Sequence, residues 1–427
     1  MAWGAKTGVT DLVQKLQAGN TKNMYVLRTR TVGTSDAIAL AAALATHPIM
    51  QEFYLSGHDL DASGLAAFAS VLATNSVLQK LVVGTSSLGD AGVTLLANGL
   101  AQNDHSGLVD WDFEFKGFGN AGAASIGAML AANRSIRHVN VSRNAFDGTG
   151  LDSIIAGLHS SPTHNVQTLD VHDSELALSD SSILPNYIRD ANCGLRTVLF
   201  TGNPLGRAAT ALFTALAANT SIESLHLTQC NLPDDALVAL GHALGANQTL
   251  KHLDISHSAL SSTSVAAFCL GLASNRSLQS LNVASTGVSD ALVEALATSL
   301  PPQLTSLNVS GNGLTHIAVA RLWQSTTLTE LRLFHNALGS GFAQVLPVLQ
   351  ANKTLQVLDI GANELHGEVA ALLFNALHSH PSLKTLEMGG NNLGDTGLAA
   401  LEALQAANPS LDVAMDKAAG NEHVNEV

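Results

Sequence analysis

The sequence is short of the features that usually announce a function. Aromatic residues make up 4% of its 427 residues, and the cysteines number three, Cys193, Cys230 and Cys269. Three scattered thiols build neither a disulfide framework nor a zinc site, so the chain reads as a protein of a reducing compartment. Positive charge is scarce too. Against 34 Asp and Glu stand 20 Lys and Arg, a formal net charge of −14. Nucleic acids and anionic membranes both need a basic footprint, so neither is expected as a partner. No apolar run is long enough to span a bilayer. The opening MAWGAKTGVTDLVQKLQAG lacks the apolar stretch of a secretion signal and reads as an amphipathic helix. A cytoplasmic location is the resulting expectation. There is no Gly-rich phosphate loop, no His-Glu-x-x-His and no nucleophile elbow, so a non-enzyme without cofactor or metal is expected.

What the chain has in abundance is one phrase. Residues 132–146 read ANRSIRHVNVSRNAF, residues 246–260 read ANQTLKHLDISHSAL, and residues 351–365 read ANKTLQVLDIGANEL. The shared frame is L-x-x-L-x-L-x-x-N-x-L with aliphatic substitutes. It begins at Met24, Met50, Leu78, Leu108, Ile136, Val166, Leu195, Ile222, Leu250, Leu278, Leu304, Leu328, Leu355 and Leu383, with a degenerate copy at Leu411. A period of roughly 28 residues marks a solenoid. Within the frame, alternation such as Leu253-Asp254-Ile255 makes a short strand with one face inward. The stretch that follows carries Leu and Ala at helical spacing. One strand and one helix cannot bury their own apolar faces, so neighbours must stack. The expected fold is an α/β solenoid of about 14 repeats, curved into a horseshoe with parallel strands on the concave face and helices on the convex face.

These residues, with LGDAGVTLLANGL at 88–100 and LGDTGLAALEAL at 393–404, resemble the leucine-rich repeats of the ribonuclease-inhibitor type. The same type occurs in NOD-like receptors and Ran GTPase-activating protein. The resemblance covers roughly residues 24–415. It implies a binding scaffold, and because the fold hosts unrelated partners it does not name one.

The ninth frame position is Asn144, Asn203, Asn312, Asn336, Asn363 and Asn391, with Cys230, Ser86, Ser174, Ser258 and Thr286 elsewhere. Such side chains satisfy the backbone of the neighbouring turn. His58 and Lys116 depart from the pattern and predict looser turns there. Seven Asn-x-Ser/Thr sequons occur, at Asn133, Asn140, Asn219, Asn247, Asn275, Asn308 and Asn352. Five of them, all but Asn140 and Asn308, lie three residues before a frame start. There an Asn is expected to end the helix in the left-handed conformation rather than to carry a glycan. Residues 1–23 are expected to be a helical cap in which Leu12, Val13 and Leu16 cover the apolar end, 24–415 the solenoid, and 416–427 a frayed tail. Pro301-Pro302 must stop one helix and shorten the next.

The strand side chains that point away from the helices define the candidate site. Asp170 and His172 lie two apart and face outward together, and His226 is expected beside Asp254 with His252 near. His next to carboxylate suits metal or acid–base work, but it equally makes a hydrogen-bonded surface pair, which is the commoner arrangement. Tyr54, Phe115 and Phe334 are expected as exposed rings on this face, and Arg332 as one of its cations. The densest charge comes from Asp110, Asp112 and Glu114 beside Arg137, His138, Asn140 and Arg143. A mixed charged face with exposed rings suits a protein partner. The expectation is a non-enzymatic, monomeric interaction module that grips a protein on its concave face. The alternatives are a GTPase activator resembling Ran GTPase-activating protein, a NOD-like-receptor-type sensing domain, or a scaffold of a cytoskeletal assembly.

Overall fold

A computed structural model describes residues 8–161, 164–176 and 183–415. The chain divides into two compact units, residues 1–226 and 227–427. The tail expected at 416–427 lies outside the described residues, as do residues 1–7.

The first unit contains eight strands: β1 (Asn23–Tyr25), β2 (Glu52–Ser56), β3 (Lys80–Gly84), β4 (Asp110–Asp112), β5 (His138–Asn140), β6 (Thr168–Asp170), β7 (Thr197–Leu199) and β8 (Ser224–His226). Each pairs in parallel with the next in chain order. The register aligns frame positions, with Phe53 beside Leu81, Val139 beside Leu169 and Val198 beside Leu225. These fourth-position residues are at most 3% exposed, because they point toward the helices. Phe53, for example, meets Phe68 of the helix Ala62–Thr74 at a ring distance of 6.0 Å.

The second unit repeats the scheme with β9 (His252–Asp254), β10 (Ser280–Asn282), β11 (Ser306–Asn308), β12 (Glu330–Arg332), β13 (Val357–Asp359), β14 (Thr385–Glu387) and β15 (Asp412–Ala414), again parallel and in chain order. Leu253, Ile255 and Leu260 are buried as expected. The helix before Pro301 stops at Ser299, and the one after it, His316–Trp323, has only 8 residues.

Neighbouring helices pack backbone to backbone. A Cβ added to Gly157 would lie 2.1 Å from the Gly127 carbonyl oxygen in the first unit, and one on Gly271 would lie 2.0 Å from that of Gly241 in the second. Only glycine fits such a contact. An N-terminal helix, Thr10–Gln17, buries Leu12 and Leu16, while its Asp11 carboxylate takes both terminal nitrogens of Arg30 at 2.7 and 2.8 Å.

Two frame starts need correction. Met24 pairs with Phe53, so it holds the fourth position, not the first. The first repeat is therefore framed three residues earlier, and Leu27, read as core, is 61% exposed. In the last copy Val413 aligns with Leu386, one residue earlier than a frame starting at Leu411 allows.

The ninth-position asparagines do what the pattern predicts, whereas the buried Ser258 hydroxyl finds no hydrogen-bond partner among the described residues. Asn144 Oδ1 accepts from the Lys116 and Gly117 amides of the preceding turn, and its Nδ2 donates to Phe113, Val141 and Ser142 carbonyls. The turns at His58 and Lys116 are not left open. The His58 ring lies 3.3 Å from the Val26 carbonyl, and buried Lys116 donates Nζ to the Gly84 carbonyl at 3.2 Å. Burial pushes the Lys116 ammonium below the usual lysine range.

The helix-ending asparagines depart from expectation. Asn247 has φ −75° and ψ 130°, and Asn75, Asn133, Asn275 and Asn352 are similarly extended. None is left-handed. Instead, Asn275 Oδ1 accepts from the Ser277 and Leu278 amides, while its Nδ2 donates to the Leu244 and Asn247 carbonyls of the preceding repeat. The side chain staples two repeats, which is why it is buried. Histidine can replace it: His380 Nδ1 faces the Ser382 and Leu383 amides while its Nε2 lies 3.0 Å from the Leu349 carbonyl.

Candidate functional site

Many of the left-handed residues sit in the turn after a strand, at the eighth frame position. In the first unit these are Gly57 (+85°), Phe115 (+53°), Arg143 (+57°), Asp173 (+47°) and Gly202 (+75°). The amide of the eighth residue is fixed by the next repeat, Phe115 to the Ser142 carbonyl and Arg143 to the His172 carbonyl. His257, Ser285, His335 and Ala362 share the conformation in the second unit, so it belongs to the turn. Glycine adopts it freely, whereas a bulky side chain pays strain. Phe115 is the bulkiest residue that does so. It is 57% exposed, and the Arg143 guanidinium lies over its ring at 5.5 Å. Arg143 also reaches Glu114 at 3.4 Å.

Beside this pair the charges form a tight network. Lys80 Nζ lies 2.7 Å from Asp110 and 3.2 Å from Asp112, so one ammonium serves two carboxylates. Burial opposes the charged form of Lys80. The hydrogen bond to Asp110 and the charges of Asp112 and Asp110 outweigh it and hold the ammonium above the usual lysine range. The same ammonium lies 5.9 Å from the Tyr54 ring. Tyr54 stacks on Tyr25 at 4.5 Å and bonds Glu52 Oε2 at 3.2 Å. Its phenol is pushed up to about 12, chiefly by burial. Lys80 and Tyr25 were absent from the expected site. Tyr25 is 57% exposed and, with Met24 at the fourth position, stands at the outward fifth position beside Tyr54. The signal that could have found it is the alternation Met24-Tyr25-Val26, which matches Phe53-Tyr54-Leu55.

The remaining expected residues separate into several settings. Exposed Arg137 and His138 flank the cluster, and His138 Nδ1 meets the Thr168 hydroxyl at 3.1 Å. Asn140 is half-buried and turns back on the amide and hydroxyl of Ser142. Asp170 and His172 pair at 2.7 Å. That hydrogen bond raises the imidazole pKa against the pull of burial. His226 shares a 2.9 Å hydrogen bond with the Ser224 hydroxyl inside the first unit. In the second unit Asp254, expected to be exposed, is half-buried, because it accepts from Ser256 and from Asn282. Arg332 pairs with Glu330 at 2.7 Å. Burial works against its charge, and Glu330 outweighs that effect. Two rings expected as exposed, Tyr54 and Phe334, are half-buried: Tyr54 beneath its stack, Phe334 against the backbone at Gly361. Among the described residues no group of three His, Cys, Asp or Glu could hold a metal ion. Nor is any described helix long and apolar enough to cross a membrane.

The open face of the first unit therefore offers an exposed ring, a guanidinium on it, and a partly neutralised acidic cluster. Comparison with known proteins agrees with the repeat pattern. A family model described as Leucine Rich repeat matches residues 132–154, 218–241, 246–269, 274–297, 324–341 and 379–401. The ribonuclease inhibitor of Sus scrofa is 26% identical over 280 residues, 64% of this chain and 56% of the inhibitor. The chain thus spans just over half the length of that curated relative. Among solved structures, an internalin from Listeria monocytogenes aligns over 96% of this chain and 94% of its own, with 18% identity and a TM-score of 0.45. A structure of the Rad7 and Elc1 complex in yeast aligns over 83% and 88%, with 14% identity and a TM-score of 0.41.

Proposed function

Because the chain is a leucine-rich repeat protein of the ribonuclease-inhibitor-like type, we propose that it is a non-enzymatic module that grips a protein partner on the open sheet face of its first unit. Leucine-rich repeat proteins generally mediate protein–protein interactions. The observation that carries the reading to this place is Phe115, a large ring kept 57% exposed in a left-handed turn that a glycine would fill without strain. Solvent exposure of the ring and the backbone cost both work against the free protein, and a partner that buries the ring offsets them. Arg143 over the ring supplies a directional cation, and the Asp110–Lys80–Asp112 network supplies fixed charge for register. A reducing, intracellular setting belongs to the same reading. Asn133, Asn219, Asn247, Asn275 and Asn352 are buried, and the amide nitrogens of Asn219, Asn275 and Asn352, which a glycan would occupy, donate to carbonyls of the preceding repeat.

The test places a photo-crosslinking phenylalanine analogue at position 115 and, as a control, at Leu270, which is 70% exposed on a helix of the second unit. Position 115 is expected to give a discrete protein adduct that Arg143→Ala diminishes, and position 270 is expected to give none. Equal adducts from both positions, or none from position 115, refute the site. Charge reversal at Asp112 is the wrong probe, since it would set a second ammonium against Lys80 and unsettle the strand itself.

A further inference from the structure

In the second unit, the loops that lead from helix ends into β12, β13 and β14 line an open surface crease of about 570 Å³. Its wall includes Thr326, Thr327, Lys353, Thr354, Lys384 and Ser410, and no Asp or Glu lines it. In a chain of net charge −14 that is a local reversal of sign. Lys384 spends one N–H on Gln356 Oε1 at 2.9 Å, and the Lys353 ammonium makes no ion pair or hydrogen bond among the described residues. Loops at helix C-termini ordinarily present carbonyl oxygens that repel anions. Here those oxygens are occupied. The Trp323 and Ser325 carbonyls accept from Asn352 Nδ2 at 2.8 and 3.2 Å, and the Leu349 carbonyl lies 3.0 Å from His380 Nε2. The staples that join the repeats therefore take up three carbonyl acceptors beside the crease.

We infer that this crease binds a phosphate monoester dianion. Two ammoniums match its charge, and the remaining Lys N–H groups with the Thr326 and Thr327 hydroxyls supply donors to its oxygens. A carboxylate would leave one positive charge unmatched. Lys353 and Lys384 are the residues on which affinity rests.

The experiment titrates the intact chain, at low salt and pH 7.5, with inorganic phosphate and separately with a blocked phosphoserine peptide. Backbone amide signals of Lys353, Thr354 and Lys384 are followed by NMR. Saturable shifts confined to these loops are expected, with Kd raised about tenfold or more in the Lys353→Gln/Lys384→Gln double variant. The Lys15→Gln/Lys22→Gln variant, which removes the same charge from the first unit, is expected to stay within about twofold of wild type. Tighter binding of the peptide identifies a phosphorylated side chain as the source, and equal binding identifies a free phosphate compound. Shifts that never saturate, or equal weakening in both double variants, overturn the site.

Discussion

Replacing Asn275 by Ala removes one small side chain and four hydrogen bonds. Its Oδ1 holds the Ser277 and Leu278 amides at 2.9 and 2.8 Å, and its Nδ2 holds the Leu244 and Asn247 carbonyls at 2.8 and 3.0 Å. The side chain is fully buried, so water does not replace the lost partners without a rearrangement of the loop. Each buried polar group left unsatisfied costs about 1–3 kcal/mol, and the carbonyls, with a second lone pair, suffer less than the amides. Two orphaned amides give a loss of about 2–6 kcal/mol. Urea unfolding followed by circular dichroism reads this as a lowered midpoint. Asn275→Gly discriminates between two accounts of the residue. Were Asn275 a left-handed cap, glycine would be neutral or slightly stabilising. Its φ of −70° and ψ of 143° give glycine nothing to relieve, and all four bonds are still lost. The Gly variant is therefore expected to fall at least as far as the Ala variant. A Gly variant within about 0.5 kcal/mol of wild type would falsify the staple, because that is the scale of an ordinary neutral substitution.

Two further outcomes follow from the same packing. His380 fills the staple role with its neutral ring, and burial lowers its pKa from the ordinary 6.5. The unfolded chain therefore takes the proton first as pH falls, so the stability His380 contributes is complete above the unfolded value and is lost progressively below it. His380→Asn restores the residue used in other repeats, so it should keep stability near pH 7.5 and flatten its decline between pH 7 and 5. An unchanged slope in urea midpoints across that range would contradict the assignment. Gly157→Ala, in the last turn of the helix Gly148–His159, would ordinarily add up to about 1 kcal/mol through propensity. With a Cβ 2.1 Å from the Gly127 oxygen it is expected to cost about 1–3 kcal/mol instead, and a raised melting temperature would show that the helices can part.

The repeat frame was legible because burial imposes it on every copy: the residues at its fourth position alternate with outward ones and stack in register. It failed at the ends, where one partner is missing. A frame that starts at Met24 makes Leu27 core, yet Met24 pairs with Phe53 and Leu27 falls at the outward seventh position. The asparagine three residues before each frame start was legible as a helix end. Its bonds were not, since Asn275 Nδ2 reaches Leu244, 31 residues back, and only the stacking of repeats brings that carbonyl within reach. The same limit applied to the site. Phe115, Glu114 and Arg143 could be placed together from strand register alone. Exposure could not be read so simply: Tyr54 hides beneath Tyr25, and Asp254 is drawn down by Asn282. Outward side chains in a parallel stack have lateral neighbours about 5 Å away, and whether those neighbours cover or release them depends on their chemistry. A ring with a ring beside it is covered, as Tyr54 is. Phe115 stands clear because its turn lifts it from the strand, and the same left-handed turn that strains it makes it available to a partner.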